Sequence, residues 1–73
     1  MLVKVVNLRT RDAYVLREAQ KGDATVWMKP TASLTESDLD AYIARQVQYD
    51  PDVWVVEIED VEGRHFLTEP VEI

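Results

Sequence analysis

Leu34-Thr35-Glu36-Ser37-Asp38-Leu39-Asp40-Ala41-Tyr42-Ile43-Ala44-Arg45-Gln46-Val47-Gln48-Tyr49-Asp50-Pro51 is the stretch at which the hydrophobic period of this chain changes. Leu39, Tyr42, Ile43 and Val47 recur at the three- and four-residue spacing that puts side chains on one face of a helix. Thr35 is suited to cap that helix by accepting from the amide of Asp38. Leu34 and Leu39 occupy the two positions of a hydrophobic staple. Pro51 forbids helix beyond about Tyr49, because the residue before a proline is pushed out of the helical region. One helix of about fifteen residues is therefore expected, entered through Thr35.

The flanks read differently. Eleven valines are spread through the chain, concentrated in short runs bounded by polar turns. Strands are expected at about Leu2–Leu8, Ala13–Ala19, Ala24–Met28, Val53–Glu59 and Arg64–Thr68. Arg9-Thr10-Arg11-Asp12, Gln20-Lys21-Gly22-Asp23 and Asp60-Val61-Glu62-Gly63 are breaks of hairpin length. The expected order is β-β-β-α-β-β. This is an α+β fold in a single compact domain over residues 1–73, an antiparallel sheet with one helix packed on one face.

That sheet poses a packing problem. If Val6 sits opposite Val15, one face shows Leu2, Lys4, Val6 and Leu8 beside Ala13, Val15, Arg17 and Ala19. The other shows Val3, Val5, Tyr14, Leu16 and Trp27. Strands apolar on both sides lie between two covering layers, and one helix covers only one face. Either the terminal segment Glu69 to Ile73 folds over the second face, or that surface exposes scattered aliphatic residues, or it takes a partner or a second copy of the chain. The same register opposes Lys4 to Arg17, a like-charge pair most simply relieved by both side chains splaying into solvent. Trp54 is expected in the core, whereas the face taken by Trp27 is open.

Charge is sorted along the sequence. Residues 1–30 carry six basic against three acidic side chains, and residues 31–73 carry two basic against eleven acidic, so the halves are +3 and −9. Glu36, Asp38 and Asp40 suit the positive end of the helix dipole, and Asp50 and Asp52 suit the turn around Pro51. Glu57, Glu59, Asp60, Glu62, Glu69 and Glu72 are harder to absorb, because strands disfavour glutamate. Glu57, Glu59, Asp60 and Glu62, concentrated around one hairpin, form the candidate partner-binding cluster; the alternative is a solvated edge strand made repulsive to other chains.

Other chemistries find no support. The sequence has one His and no Cys, which argues against a triad, a thiolate nucleophile, a zinc site or a disulfide framework. Ser33 and Ser37 lie at the helix entrance, and Gly22 and Gly63 are too far apart for a phosphate loop. No catalytic residue, metal or cofactor is expected. Dispersed basic residues and a net charge of −6 argue against direct nucleic-acid binding, and no segment has the length or apolarity of a signal peptide or membrane span.

The reading that follows is a cytoplasmic, non-enzymatic interaction module whose acidic C-terminal half binds a basic protein partner. A nucleic-acid-binding protein inhibited or regulated by charge mimicry, as small viral or mobile-element proteins do, fits that description. The alternative is an assembly subunit that homo-oligomerises through an uncovered sheet face.

Overall fold

The computed structural model of the protein describes residues 1–72. Its elements are β1 (Leu2–Asn7), β2 (Asp12–Lys21), β3 (Ala24–Met28), β4 (Leu34–Thr35), α1 (Glu36–Tyr49), β5 (Val55–Asp60) and β6 (Val71–Glu72). The fold is α+β, as the sequence indicates, but the sheet is mixed. Its order is β5-β1-β2-β3-β6, with β4 pairing β2. β1, β2 and β3 are joined antiparallel, whereas β5 runs parallel to β1 and β6 parallel to β3.

The parallel pairs follow from how the chain returns. β4 is antiparallel to β2 and so runs in the direction of β1. The helix then carries the chain back along the sheet, and the next strand must again run with β1. β5 repeats the problem: residues 61–70 return across the sheet without regular structure, and β6 starts in the direction of β3. Arg64–Thr68 is accordingly not a strand. Its alternating pattern belongs to a crossover that lies on the sheet, and Asp60-Val61-Glu62-Gly63 turns the chain out of the sheet plane without closing a hairpin.

That crossover resolves the two-faced strands. On one side Leu2, Val6, Ala13 and Val15 pack with Leu39 of the helix, joined by Leu34, Tyr42, Ile43 and Val53. On the other Val3, Val5, Leu16 and Trp27 form a second core, covered by Leu67 and Val71 with Tyr14 and Ile58 at its margin. The N–H of Trp27 donates to the carbonyl of Pro70 at 2.9 Å, which fixes the end of the crossover to β3. Of the segment Glu69 to Ile73 expected to cover this face, Val71 does so, and Ile73 lies outside the described residues. The face is closed from within the chain, which removes the ground for self-association through it.

Register and aromatic placement also differ from expectation. Val6 opposes Ala13, Lys4 opposes Val15, and Leu2 opposes Arg17. The slip is two residues, so every side chain keeps its expected face while the Lys4–Arg17 opposition disappears. Trp27 is buried at 3% exposure and Trp54 stands at 76%, the reverse of the expected placement for Trp54. Trp54 precedes the edge strand β5, where no second layer reaches it.

Local chemistry sets the boundaries. Thr35 caps α1 through the amide of Asp38, and the N–H of Asp50 closes its last turn on the carbonyl of Gln46. The side-chain oxygen of Asn7 accepts from the amides of Arg9 and Thr10, ending β1 in a tight turn. Gly63 has φ +71°, and a Cβ there would sit 3.2 Å from Nδ2 of Asn7. A glycine lets the crossover leave β5 hard against that turn.

The two tryptophans give a clean test. Trp27→Ala should cost about 3–5 kcal/mol in urea unfolding, because it empties the second core, whereas Trp54→Ala should change stability by less than about 0.5 kcal/mol. Iodide quenching should act on Trp54 and leave Trp27 emission nearly untouched. Equal losses of stability would contradict this packing.

Candidate interaction surface

Among the described residues Lys4 is the buried ammonium of the sheet. It lies on β1 at 6% exposure, on the face covered by the helix. Its Nζ donates to Oδ1 of Asp40 at 2.6 Å and to Oε2 of Glu36 at 3.0 Å, with Oε1 of Glu57 at 3.6 Å. Glu36 and Asp40 are four residues apart, so they stand one above the other on the same side of α1. Glu57 is the parallel partner of Lys4 on β5, and its side chain projects to the same face. Burial, the largest single influence on this ammonium, lowers its pKa. The hydrogen bonds to Asp40 and Glu36, then the charges of Glu57 and Asp40, outweigh it and hold the group above its ordinary value. Lys4 is not splayed into solvent. It clamps helix, β1 and β5 together, and three carboxylates on one cation leave this corner negative.

The four candidate acids separate. Glu57 and Glu59 are two residues apart on the helix-side face of β5, and both are exposed. Asp60 is turned to the other face and is buried at 8% exposure. Its Oδ2 accepts from the amides of Glu62 and Arg64 at 2.9 and 3.1 Å and from Nε of Arg64 at 3.0 Å, and its Oδ1 accepts from Nη2 of Arg64 at 3.0 Å. The side-chain and backbone hydrogen bonds from Arg64 come first and outweigh burial, which acts the other way, and the amide of Glu62 adds to them. Together they hold this carboxyl far below the usual range. Asp60 is thereby committed to the turn that starts the crossover. Glu62 lies in the turn itself. The four do not form one continuous surface, and the exposed acidic row consists of Glu57 and Glu59, extended onto the helix by Glu36 and Asp40.

Sequence reasoning missed Lys4, Glu36 and Asp40 as a unit. The available signal was a lone lysine in an otherwise apolar strand, which needs counter-charges wherever it is covered.

β5 contributes its backbone as well. The N–H of Leu2 donates to the carbonyl of Trp54, and that of Leu8 to the carbonyl of Asp60. In a parallel ladder alternate residues of a strand bond the neighbour, so the even-numbered residues of β5 serve β1. The N–H and C=O groups of Val55, Glu57 and Glu59 point outward from the sheet edge, among the described residues. Beside them Trp54, Val55 and Val56 are exposed at 76%, 39% and 41%.

A polar cleft of about 270 Å³ opens elsewhere, between Asn7, Thr10, Asp12, Tyr14, Glu62 and Gly63. In it the Tyr14 hydroxyl donates to the carbonyl of Gly63 at 2.8 Å and the side-chain oxygen of Asn7 accepts from the amides of Arg9 and Thr10, while the ammonium of Lys29 lies 5.0 Å from the Tyr14 ring centre. Burial, then the charge of Asp60, pushes the Tyr14 hydroxyl pKa up, so it stays protonated as a donor. Among the described residues no group of three or more His, Asp or Glu side chains is arranged to hold a metal ion, and no helix is long and apolar enough to cross a membrane.

Residues 1–68 match a family model described as a protein of unknown function, DUF1491. No curated protein matches the chain. A crystal structure of a DUF1491 family protein from Caulobacter crescentus CB15 superimposes with a TM-score of 0.90 at 57% identity, covering 97% of this chain and 67% of that one. An NMR structure of a DUF1491 family protein from the same organism gives 0.83 at 56% identity, covering 99% and 66%. The chain thus spans about two thirds of the length of the structures it resembles.

Two substitutions probe the anchors. Lys4→Met should cost about 1–3 kcal/mol at pH 7. That lies below the 3–5 kcal/mol of a fully buried pair, because the three carboxylates are 37%, 55% and 46% exposed and can turn to water. Because the Lys4 pKa is raised on folding, its contribution should be intact below about pH 10.4, the unfolded value, and should fade as pH rises further. Asp60→Asn should lower the melting temperature at neutral pH. The folded pKa of Asp60 is depressed, so its contribution is present above the unfolded value of about 3.9 and is lost as pH falls toward the folded one. Melting curves of the Asn variant and the parent should therefore converge in acid. A constant gap would show that Asp60 acts through packing alone.

Proposed function

The chain belongs to the DUF1491 family, whose function is unknown, and we propose that it is a non-enzymatic, cytoplasmic interaction module that binds a basic protein partner through its acidic C-terminal half. The observation that carries this reading is the row of carboxylates along one side of the molecule. Glu36 and Asp40 on the helix and Glu57 on β5 share a single cation, and Glu59 continues the row on the exposed strand. Internal pairing leaves this side in excess negative charge, which steers a cationic surface toward it and repels further copies of the chain. A partner that binds nucleic acid would be inhibited by occupation of its basic site, which is regulation by charge mimicry. The exposed Trp54 next to the row supplies an aromatic anchor of the kind that concentrates binding energy at interfaces.

The test is capture of the partner from the source cell at low ionic strength, followed by association kinetics. The on-rate should fall steeply with added salt. Glu57→Gln/Glu59→Gln should slow it by roughly tenfold at low salt and flatten the salt dependence, and the fold should hold because Lys4 keeps its hydrogen bonds to Glu36 and Asp40 when Glu57, at 3.6 Å, loses its charge. Where the partner binds nucleic acid, the chain should compete with that ligand. An on-rate indifferent to both salt and the double substitution would overturn the reading.

A further inference from the structure

The acidic row lies on an open sheet edge, and this determines the shape of what can bind it. We propose that β5 receives an extended, basic segment of the partner as an additional strand, with backbone hydrogen bonds giving affinity and Glu57 and Glu59 selecting basic residues two apart. The proposal rests on the acidic-surface reading above and adds a geometry to it.

Three observations converge. The ladder to β1 uses the carbonyls of Trp54 and Asp60, which leaves the N–H and C=O groups of Val55, Glu57 and Glu59 outward, a two-residue repeat that an antiparallel strand satisfies pair by pair. β5 is the end strand of the sheet and contains no proline, lysine or glycine to blunt it. The two faces of the strand differ: Glu57 and Glu59 project on the helix side, and the exposed Val56 projects on the other. A segment paired here places side chains alternately on those faces. Its residues opposite Glu59 and Glu57 must be Lys or Arg, and those between them apolar.

Charge decides against a second copy as occupant. Pairing β5 with itself about a two-fold axis, in the registers that use the whole strand, sets Glu57 against Glu57 or against Glu59 of the copy, within a complex of two chains each at −6.

The experiment uses the full chain and a short capped peptide of alternating lysine and valine, with two controls. One control is the same peptide N-methylated at alternate backbone amides, which keeps the charge and removes hydrogen bonds. The other is Val55→Pro, which removes one outward N–H from an edge position that tolerates proline and leaves the acids in place. Titration followed by amide chemical shifts should show binding of the parent peptide with the largest changes at residues 55, 57 and 59. Affinity should drop about a hundredfold on N-methylation, from several lost hydrogen bonds, and at least about fivefold for Val55→Pro. Equal binding of the methylated and unmethylated peptides would overturn edge pairing while leaving a salt-dependent acidic surface standing. No binding of either peptide at low salt would also overturn the edge proposal, and the acidic-surface reading would still be decided by the captured partner and Glu57→Gln/Glu59→Gln. Concentration-dependent dimerisation that broadens the same amides without peptide would instead assign the edge to a second copy.

Discussion

A single buried ammonium holds the layers of this domain in place. Lys4 sits where an apolar strand residue would ordinarily pack, and its charge can be buried only because α1 and β5 both bring carboxylates to it. The demand is mutual. The helix must lie with Glu36 and Asp40 over β1, and β5 must pair with β1 in the register that sets Glu57 beside Lys4. A one-residue slip of β5 would turn Glu57 away and expose its apolar set. Hydrophobic burial supplies most of the stability, as Leu39 at one core and Trp27 at the other indicate, but it is tolerant of small shifts. Ion pairing to a buried charge is less tolerant, and so acts as the pin of the arrangement.

The second constraint is that every strand face needs a cover. In a chain of 73 residues there is room for one long helix, and the opposite face is closed by residues 61–71 without regular structure. Such a segment has to find partners for its backbone outside a ladder. Asp60 supplies them at its start by accepting from two amides and the Arg64 side chain, Tyr14 donates to the carbonyl of Gly63 in its first turns, and Trp27 donates to Pro70 at its end. The crossover is thus bonded at both ends and packed in the middle by Leu67. The close agreement with the Caulobacter crescentus crystal structure, at a TM-score of 0.90, indicates that this arrangement is shared within the DUF1491 family.

The same economy explains where interaction capacity is concentrated. Asp60 is turned inward and bonded to the crossover turn, whereas Glu36, Asp40 and Glu57, which share one cation, and Glu59 keep partly exposed carboxylates along α1 and the outer edge of β5. That edge has three properties an interface needs together: unspent backbone groups, a fixed sign of charge and an exposed aromatic residue beside it. In the polar cleft near Tyr14, by contrast, the tyrosine hydroxyl is already bonded to the carbonyl of Gly63.

Secondary structure is legible in the residues wherever one local signal is decisive. The Thr35 cap, the 39-42-43-47 period and Pro51 set the helix, and the polar turns around Arg11 and Gly22 set the first three strands and the faces of their side chains. The α+β class follows from these. How the later elements return to the sheet is set by contacts between distant parts of the chain. Residues 64–68 alternate like a strand, yet they cover Val5, Leu16 and Trp27 because that face had no other cover. β5 pairs parallel to β1 because the helix reverses the chain, a consequence of three-dimensional closure that period-two patterning does not encode. The fates of the acids were illegible for the same reason. Glu57 and Asp60 look equivalent in sequence, but strand positions an odd number apart face opposite layers, and only the assembled layers place Lys4 under one and the Arg64 turn under the other. Local periodicity says which side a residue is on, and what waits on that side is contributed by residues far along the chain.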